Sequence, residues 1–154
     1  MTQNPEPKAP QSEPKPASGT PLALAGMRIL LVEDTEINRR LAELILKGLG
    51  CTVTSAVNGQ DALGKILKDR FDAVLMDCQM PVLDGYEATA MIRQWEQSTK
   101  APRVTIIAMT AHSAGGNREL CLAYGMDDYL AKPYTWAGLG DMLGQYYNRD
   151  AGFM

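Results

Sequence analysis

The segment MRILLVED, residues 27–34, is an apolar run broken by a single arginine and closed by two carboxylates. A strand with one face in water alternates apolar and polar side chains. A run without that alternation fits a strand covered on both faces, as in a parallel sheet. Two further segments have the same form, FDAVLMD at 71–77 and VTIIAMT at 104–110. Thr52 to Ala56 and Asp128 to Ala131 read as weaker strands, at or near the edges of the sheet.

Between these runs the apolar spacing changes from continuous to helical. Ile37, Leu41, Leu44, Ile45 and Leu49 recur at three- and four-residue intervals, as do Trp136, Leu139, Leu143 and Tyr146. Gly48 and Gly50 are expected to close the first helix and Gly125 the fourth, while Asp84-Gly85 opens the third. Strand followed by helix, five times over, implies an α/β fold: a doubly wound parallel sheet with right-handed crossovers.

In such a sheet ligands bind beyond the carboxyl ends of the strands, where the winding reverses. The first strand ends in Glu33 and Asp34, the third in Asp77, the fourth in Thr110 and the fifth in Lys132. Three carboxylates sharing one cleft repel one another unless a cation sits among them. Oxygen donors without a neighbouring His or Cys cluster favour Mg²⁺. An Asp carboxylate can attack a phosphoryl group and form an aspartyl phosphate. The Lys132 ammonium and the Thr110 hydroxyl suit the phosphoryl oxygens.

The strings LLVEDTEINR (30–39), MDCQMPVLDGYEATAMIR (76–93), IIAMTA (106–111) and GMDDYLAKP (125–133) resemble the receiver domain of two-component response regulators. The wording is closest to receivers carried by hybrid sensor histidine kinases. The resemblance covers about residues 27 to 147 and implies a flavodoxin-like (βα)5 topology with strand order 2-1-3-4-5. It also implies Asp77 as phosphoacceptor, with Mg²⁺ held by Asp34, Asp77 and the backbone carbonyl of Gln79, and with Glu33 reaching the ion through water. Thr110 and Lys132 would contact the phosphoryl oxygens, Tyr129 would be the switch aromatic, and the Lys132-Pro133 bond would be cis. Gln79 and His112 stand where the family tunes hydrolysis, and the small Ala111 leaves the phosphoryl group open to a partner. Implied partners are a histidine kinase or a histidine phosphotransfer protein. The implied output surface is the face of the fourth helix, fifth strand and fifth helix. The resemblance describes a phosphoacceptor rather than an enzyme acting on a separate substrate.

Other readings of the same residues predict different features. A phosphatase of the haloacid-dehalogenase kind expects a second Asp two residues beyond the first, where this chain has Gln79. A flavodoxin-like cofactor binder expects a Ser/Thr/Gly-rich phosphate loop after the first strand, where this chain has the acidic Glu33-Asp34-Thr35-Glu36. A receiver that works without phosphorylation would carry a degraded acceptor set, whereas every residue type of that set stands in place. His112, the only histidine, is expected in a loop rather than on the helical surface of a phosphodonor. Cys78 is expected to fill space at a strand end.

Six of the nine prolines fall within the first 21 residues, among Gln, Ser, Glu and Lys. That composition has little to bury, so residues 1–26 are expected to be a disordered leader or linker. The domain is expected over 27–147, with 148–154 as a short tail. The chain then reads either as a single-domain response regulator or as the receiver of a hybrid kinase. Fifteen Lys and Arg against eighteen Asp and Glu leave a net charge of −3, and without a basic cluster this argues against direct nucleic-acid binding. No apolar run approaches the ~18 residues of a membrane span. Three dispersed cysteines, at 51, 78 and 121, suit reduced thiols and a cytoplasmic location.

Overall fold

The computed structural model describes residues 24–78, 80, 83–110, 115–132 and 135–151, with only the backbone described at 115–118 and 148–151. Strands β1 (Arg28–Val32), β2 (Thr52–Ala56), β3 (Ala73–Asp77), β4 (Thr105–Thr110) and β5 (Asp128–Ala131) alternate with helices α1 (Glu36–Gly48), α2 (Gly59–Lys68), α3 (Gly85–Thr99), α4 (Gly115–Ala123) and α5 (Trp136–Ala151). The strands form one parallel sheet in the order β2-β1-β3-β4-β5. The expected architecture and order are therefore present, and the winding reverses between β1 and β3.

The unbroken apolar runs are explained by what covers each face. Leu30, Val32, Val74, Met76, Ile106 and Ala108 pack on one side against Ala62 and Ile66 of α2, Ala88 and Ile92 of α3 and Cys121 of α4. Their chain neighbours Ile29, Leu31, Ala73, Leu75, Ile107 and Met109 pack on the other side, against Ala42, Ile45 and Leu46 of α1 and Leu139 and Leu143 of α5. Successive strand residues thus enter opposite cores. The edge strands β2 and β5 are mostly half-buried, as their weaker apolar pattern predicts.

The fold takes in residues that the sequence reading assigned to the leader: Leu24 is buried in the α1/α5 core, the Gly26 amide donates to the Gly50 carbonyl and the Tyr147 hydroxyl to the Ala25 carbonyl. At the other end α5 continues past Tyr147 to Ala151, so the tail expected from 148 begins as helix. On α1, the side chains facing the sheet are Ala42, Ile45 and Leu46, whereas Ile37, Leu41 and Leu44 are exposed. The sequence holds two apolar rows about a third of a turn apart, and the small Ala42 concealed which one is buried. Gly48 also does more than end the helix. A Cβ there would come within 2.0 Å of the Trp136 ring, so the absent side chain lets α5 lie on α1.

Arg93 of α3 locks the entry to β4 and β5. Its guanidinium donates to the Gly125 and Val104 carbonyls, both at 2.8 Å, and pairs with Glu96 at 2.9 Å and Asp127 at 2.8 Å. Asp127 in turn accepts from the Ile106 amide. A nearly buried guanidinium with this many partners fixes the register of the strands that deliver Thr110 and Lys132.

Candidate functional site

The carboxyl ends of β1, β3, β4 and β5 bring together the five residues chosen from the sequence. Glu33 and Asp34 follow β1 directly, beside β3 at the point where the winding reverses. Asp77 ends β3 and is 3% exposed, and Thr110 ends β4 and is 1% exposed. The strand ends are stitched laterally: the Cys78 amide donates to the Met109 carbonyl at 3.0 Å and the Lys132 amide to the Thr110 carbonyl at 2.8 Å. Lys132 thereby reaches across β4 and β3. Its ammonium lies 3.2 Å from Glu33 Oε1 and 3.5 Å from Asp77 Oδ1.

Glu33 is 1% exposed and bound at both oxygens, one to Lys132 and the other to the Thr35 amide at 3.2 Å. One carboxylate oxygen from each of Glu33, Asp34 and Asp77 lies within 4.8 Å of the other two. With a single ammonium among them the group carries a formal charge of −2, which a divalent cation would offset. The donor set is hard oxygen, and Cys78, next to Asp77, adds no thiolate: burial pushes its thiol up to about 12, with the hydrogen bond from the Tyr86 hydroxyl pulling weakly the other way. The residues therefore fit Mg²⁺ and not a thiophilic metal.

Gly85, the first residue of α3, packs directly against Asp77. A Cβ at Gly85 would lie 2.3 Å from the Asp77 carbonyl oxygen and 2.9 Å from Met76 Cγ. Asp84 caps the helix by accepting from the Glu87 amide at 2.9 Å, so α3 has little freedom to retreat. Gly85→Ala is expected to lose about 1–3 kcal/mol of stability, the usual cost of overpacking, and to loosen the carboxylate cluster by displacing Asp77. Urea unfolding in EDTA and calorimetric titration of Mg²⁺ would read the two effects; unchanged Mg²⁺ binding would show that Asp77 tolerates the shift.

Tyr129 is half-buried on the core shared with α2, α3 and α4. Gln79, Ala111, His112 and Pro133 lie outside the described residues, and with them the carbonyl ligand, the hydrolysis-tuning pair and the cis bond. Arg39 was missed by sequence reasoning. Its guanidinium donates to the Glu33 carbonyl at 3.0 Å, and a lone arginine on an amphipathic helix carries no signal that distinguishes it from Arg40, which pairs with Glu36 in solvent.

The three thiols are buried and unpaired. Burial, then the Asp72 carboxylate, pushes Cys51 from 9.0 to about 12, and burial acts likewise on Cys78 and raises Cys121. The folded thiols hold their protons where unfolded ones release them. Stability is therefore complete below pH ~9 and is expected to fall as pH rises from about 9 toward about 12. Ellman's reagent at pH 8 is expected to label the thiols only when urea unfolds the chain; rapid native labelling would contradict their burial.

A family model described as the response regulator receiver domain matches residues 29–143. The chain belongs to the response-regulator receiver family. It is 47% identical to the receiver domain of a sensor histidine kinase from Pseudomonas aeruginosa, crystallised with magnesium coordinated in its active-site cleft; the match covers 80% of this chain and 99% of that one, with a TM-score of 0.72. A co-crystal structure of the Saccharomyces cerevisiae histidine phosphotransfer protein Ypd1 with the receiver domain of the response regulator Ssk1 also matches. There the identity is 29%, the TM-score 0.75, and coverage 79% of this chain and 89% of that one. Among curated proteins, hybrid signal transduction histidine kinase A of Dictyostelium discoideum is 42% identical over 120 residues, 77% of this chain but 6% of that protein. The sensor protein GacS of Pseudomonas syringae is 39% identical over 125 residues, 81% of this chain and 14% of that protein. The chain thus spans a small part of these curated relatives. Among the described residues no helix is long and apolar enough to cross a membrane.

Proposed function

We propose that this receiver accepts a phosphoryl group on Asp77 from a histidine kinase or histidine phosphotransfer protein, in the cytoplasm, and passes the signal on by changing its partner-binding face. The observation that carries this reading is the cluster itself: Glu33, Asp34 and Asp77 within 4.8 Å, with the Lys132 ammonium 3.5 Å from Asp77. It acts as a phosphoacceptor that assists its own phosphorylation and dephosphorylation, not as an enzyme on a separate substrate. Whether it stands alone or within a hybrid kinase does not alter the chemistry.

An oxygen of Asp77 attacks the donor phosphorus; the P–O bond forms as the P–N bond of the phosphohistidine breaks, and the electron pair of that bond stays on the ring nitrogen. Glu33, Asp34, Asp77 and the Gln79 carbonyl would hold Mg²⁺, which when bound neutralises charge on the phosphoryl oxygens. Lys132 offsets charge on another oxygen and Thr110 donates its hydroxyl, since positioning and electrostatics supply most of the catalysis. The aspartyl phosphate carries about −1.5 to −2 charge, as other protein phosphates do, where the free carboxylate carried −1. That charge draws on Thr110 and lets Tyr129 turn inward, which remodels the face of α4, β5 and α5. On the donor side, the exposed row Ile37, Leu41 and Leu44 begins one turn beyond Asp34. It offers a helical partner an apolar footing beside the acceptor.

The experiment is intact mass after incubation with acetyl phosphate or phosphoramidate, with and without Mg²⁺. A gain of one phosphoryl group that needs Mg²⁺ is expected. No gain from either donor would remove the mechanism and leave an interaction module that works without phosphorylation.

A further inference from the structure

The connection between β1 and α1 carries two of the three clustered carboxylates, and its backbone is held from several directions. The Glu33 amide is tied to β2 through the Ala56 carbonyl at 3.0 Å, and the Thr35 amide to the Glu33 side chain. Asp34 lies between them, exposed, yet with a carboxylate oxygen inside the cluster. What closes the loop is Arg39, in the first turn of α1. Its Nη1 donates to the Glu33 carbonyl at 3.0 Å and reaches the Asp34 carbonyl at 3.5 Å.

We infer that Arg39 is a positioning residue for the cation site, acting through the backbone of Glu33 and Asp34 and touching neither the ion nor the phosphoryl group. The inference rests on the function proposed above. Two physical effects of the side chain oppose each other. A guanidinium charge beside a cation site repels a divalent ion, so if charge dominates, removing Arg39 tightens binding. A guanidinium that pins two consecutive carbonyls keeps the Asp34 carboxylate where the ion needs it, so if anchoring dominates, removing it weakens binding. Anchoring dominates here, because the guanidinium lies on carbonyl oxygens that partly offset its charge and its long-range field is screened by solvent and salt. Outer hydrogen bonds that orient ligands typically change metal affinity by about 10–100-fold.

The test is calorimetric titration of Mg²⁺ into the full-length wild type, Arg39→Met and Arg39→Lys, with urea unfolding of each in EDTA. Arg39→Met is expected to bind Mg²⁺ on the order of tenfold more weakly, with the loss persisting at high salt and unfolding in EDTA nearly unchanged. Arg39→Lys, which keeps the charge and one donor group, recovers part of the affinity. If the wild type binds Mg²⁺ and Arg39→Met binds equally or more tightly, the anchoring role is overturned while the proposed function stands. If Arg39→Met loses stability in EDTA in proportion to its affinity, the residue serves the fold and the inference also falls. A wild type that binds no Mg²⁺ would overturn the proposed function, and the positioning role with it.

Discussion

Asp77→Asn is expected to take up no phosphoryl group from acetyl phosphate or phosphoramidate, and to unfold in EDTA at a urea concentration no lower than that of the wild type. The first result follows because an amide lacks the anionic oxygen that attacks phosphorus. The second follows from the crowding of the site. Asp77 is 3% exposed and shares a 4.8 Å group with Glu33 and Asp34, while the Lys132 ammonium supplies counter-charge from 3.5 Å. The substitution conserves shape and removes one of three mutually repelling charges. Lys132 keeps its closer partner Glu33, at 3.2 Å. A balance from neutral to about 1 kcal/mol of stabilisation is expected, since buried ion pairs seldom return more than their desolvation cost. Mg²⁺ separates the two proteins further. At a hundred times its dissociation constant a ligand adds about 2.7 kcal/mol, a gain the wild type shows and the variant largely loses. A variant that still gains mass would place the acceptor elsewhere; one much less stable in EDTA would mean that Asp77 is held for structure.

The parts of this molecule legible in the sequence are those set by local pattern. Central strands covered on both faces leave continuous apolar runs, and edge strands do not, so MRILLV and TVTSA already separate the middle of the sheet from its rim. Strand-end residues are legible for the same reason: once the sheet is parallel, Glu33, Asp34, Asp77, Thr110 and Lys132 have to share one end. What hides is whatever depends on rotation about a helix axis or on contacts distant in sequence. The exposure of Ile37, Leu41 and Leu44 was concealed by Ala42, a small residue with little weight in any apolar pattern. The buried guanidinium of Arg93 was concealed because its partners Gly125 and Asp127 are more than thirty residues away. Arg39 escaped notice because its partners are backbone carbonyls, which any sequence supplies. The packing of Trp136 on Gly48 is a pair of unremarkable residues until the chain folds.

Lys132→Met tests the electrostatics of the site from the opposite side. The Lys132 side chain is 22% exposed and that of its partner Glu33 only 1%, so the pair is closer to a buried ion pair than to a surface one. Removing one member of a buried pair leaves the other charge desolvated and unmatched, at a cost of about 3–5 kcal/mol. A loss near the lower end is expected in EDTA, because Lys132 keeps some solvent and Glu33 retains the Thr35 amide. Methionine keeps the length and apolar stem of the lysine, so packing contributes little. The same site was −2 with lysine and becomes −3 without it, so a divalent cation should restore more stability to the variant than it adds to the wild type. Urea unfolding in EDTA and in saturating Mg²⁺ gives all four numbers. Phosphoryl uptake should stay low even when Mg²⁺ has restored the fold, because the ion does not replace the ammonium facing the phosphoryl group. If the variant matches the wild type in EDTA, Glu33 is stably accommodated without Lys132 and the counter-charge role fails. If uptake recovers together with stability, Lys132 serves the fold and not the transfer.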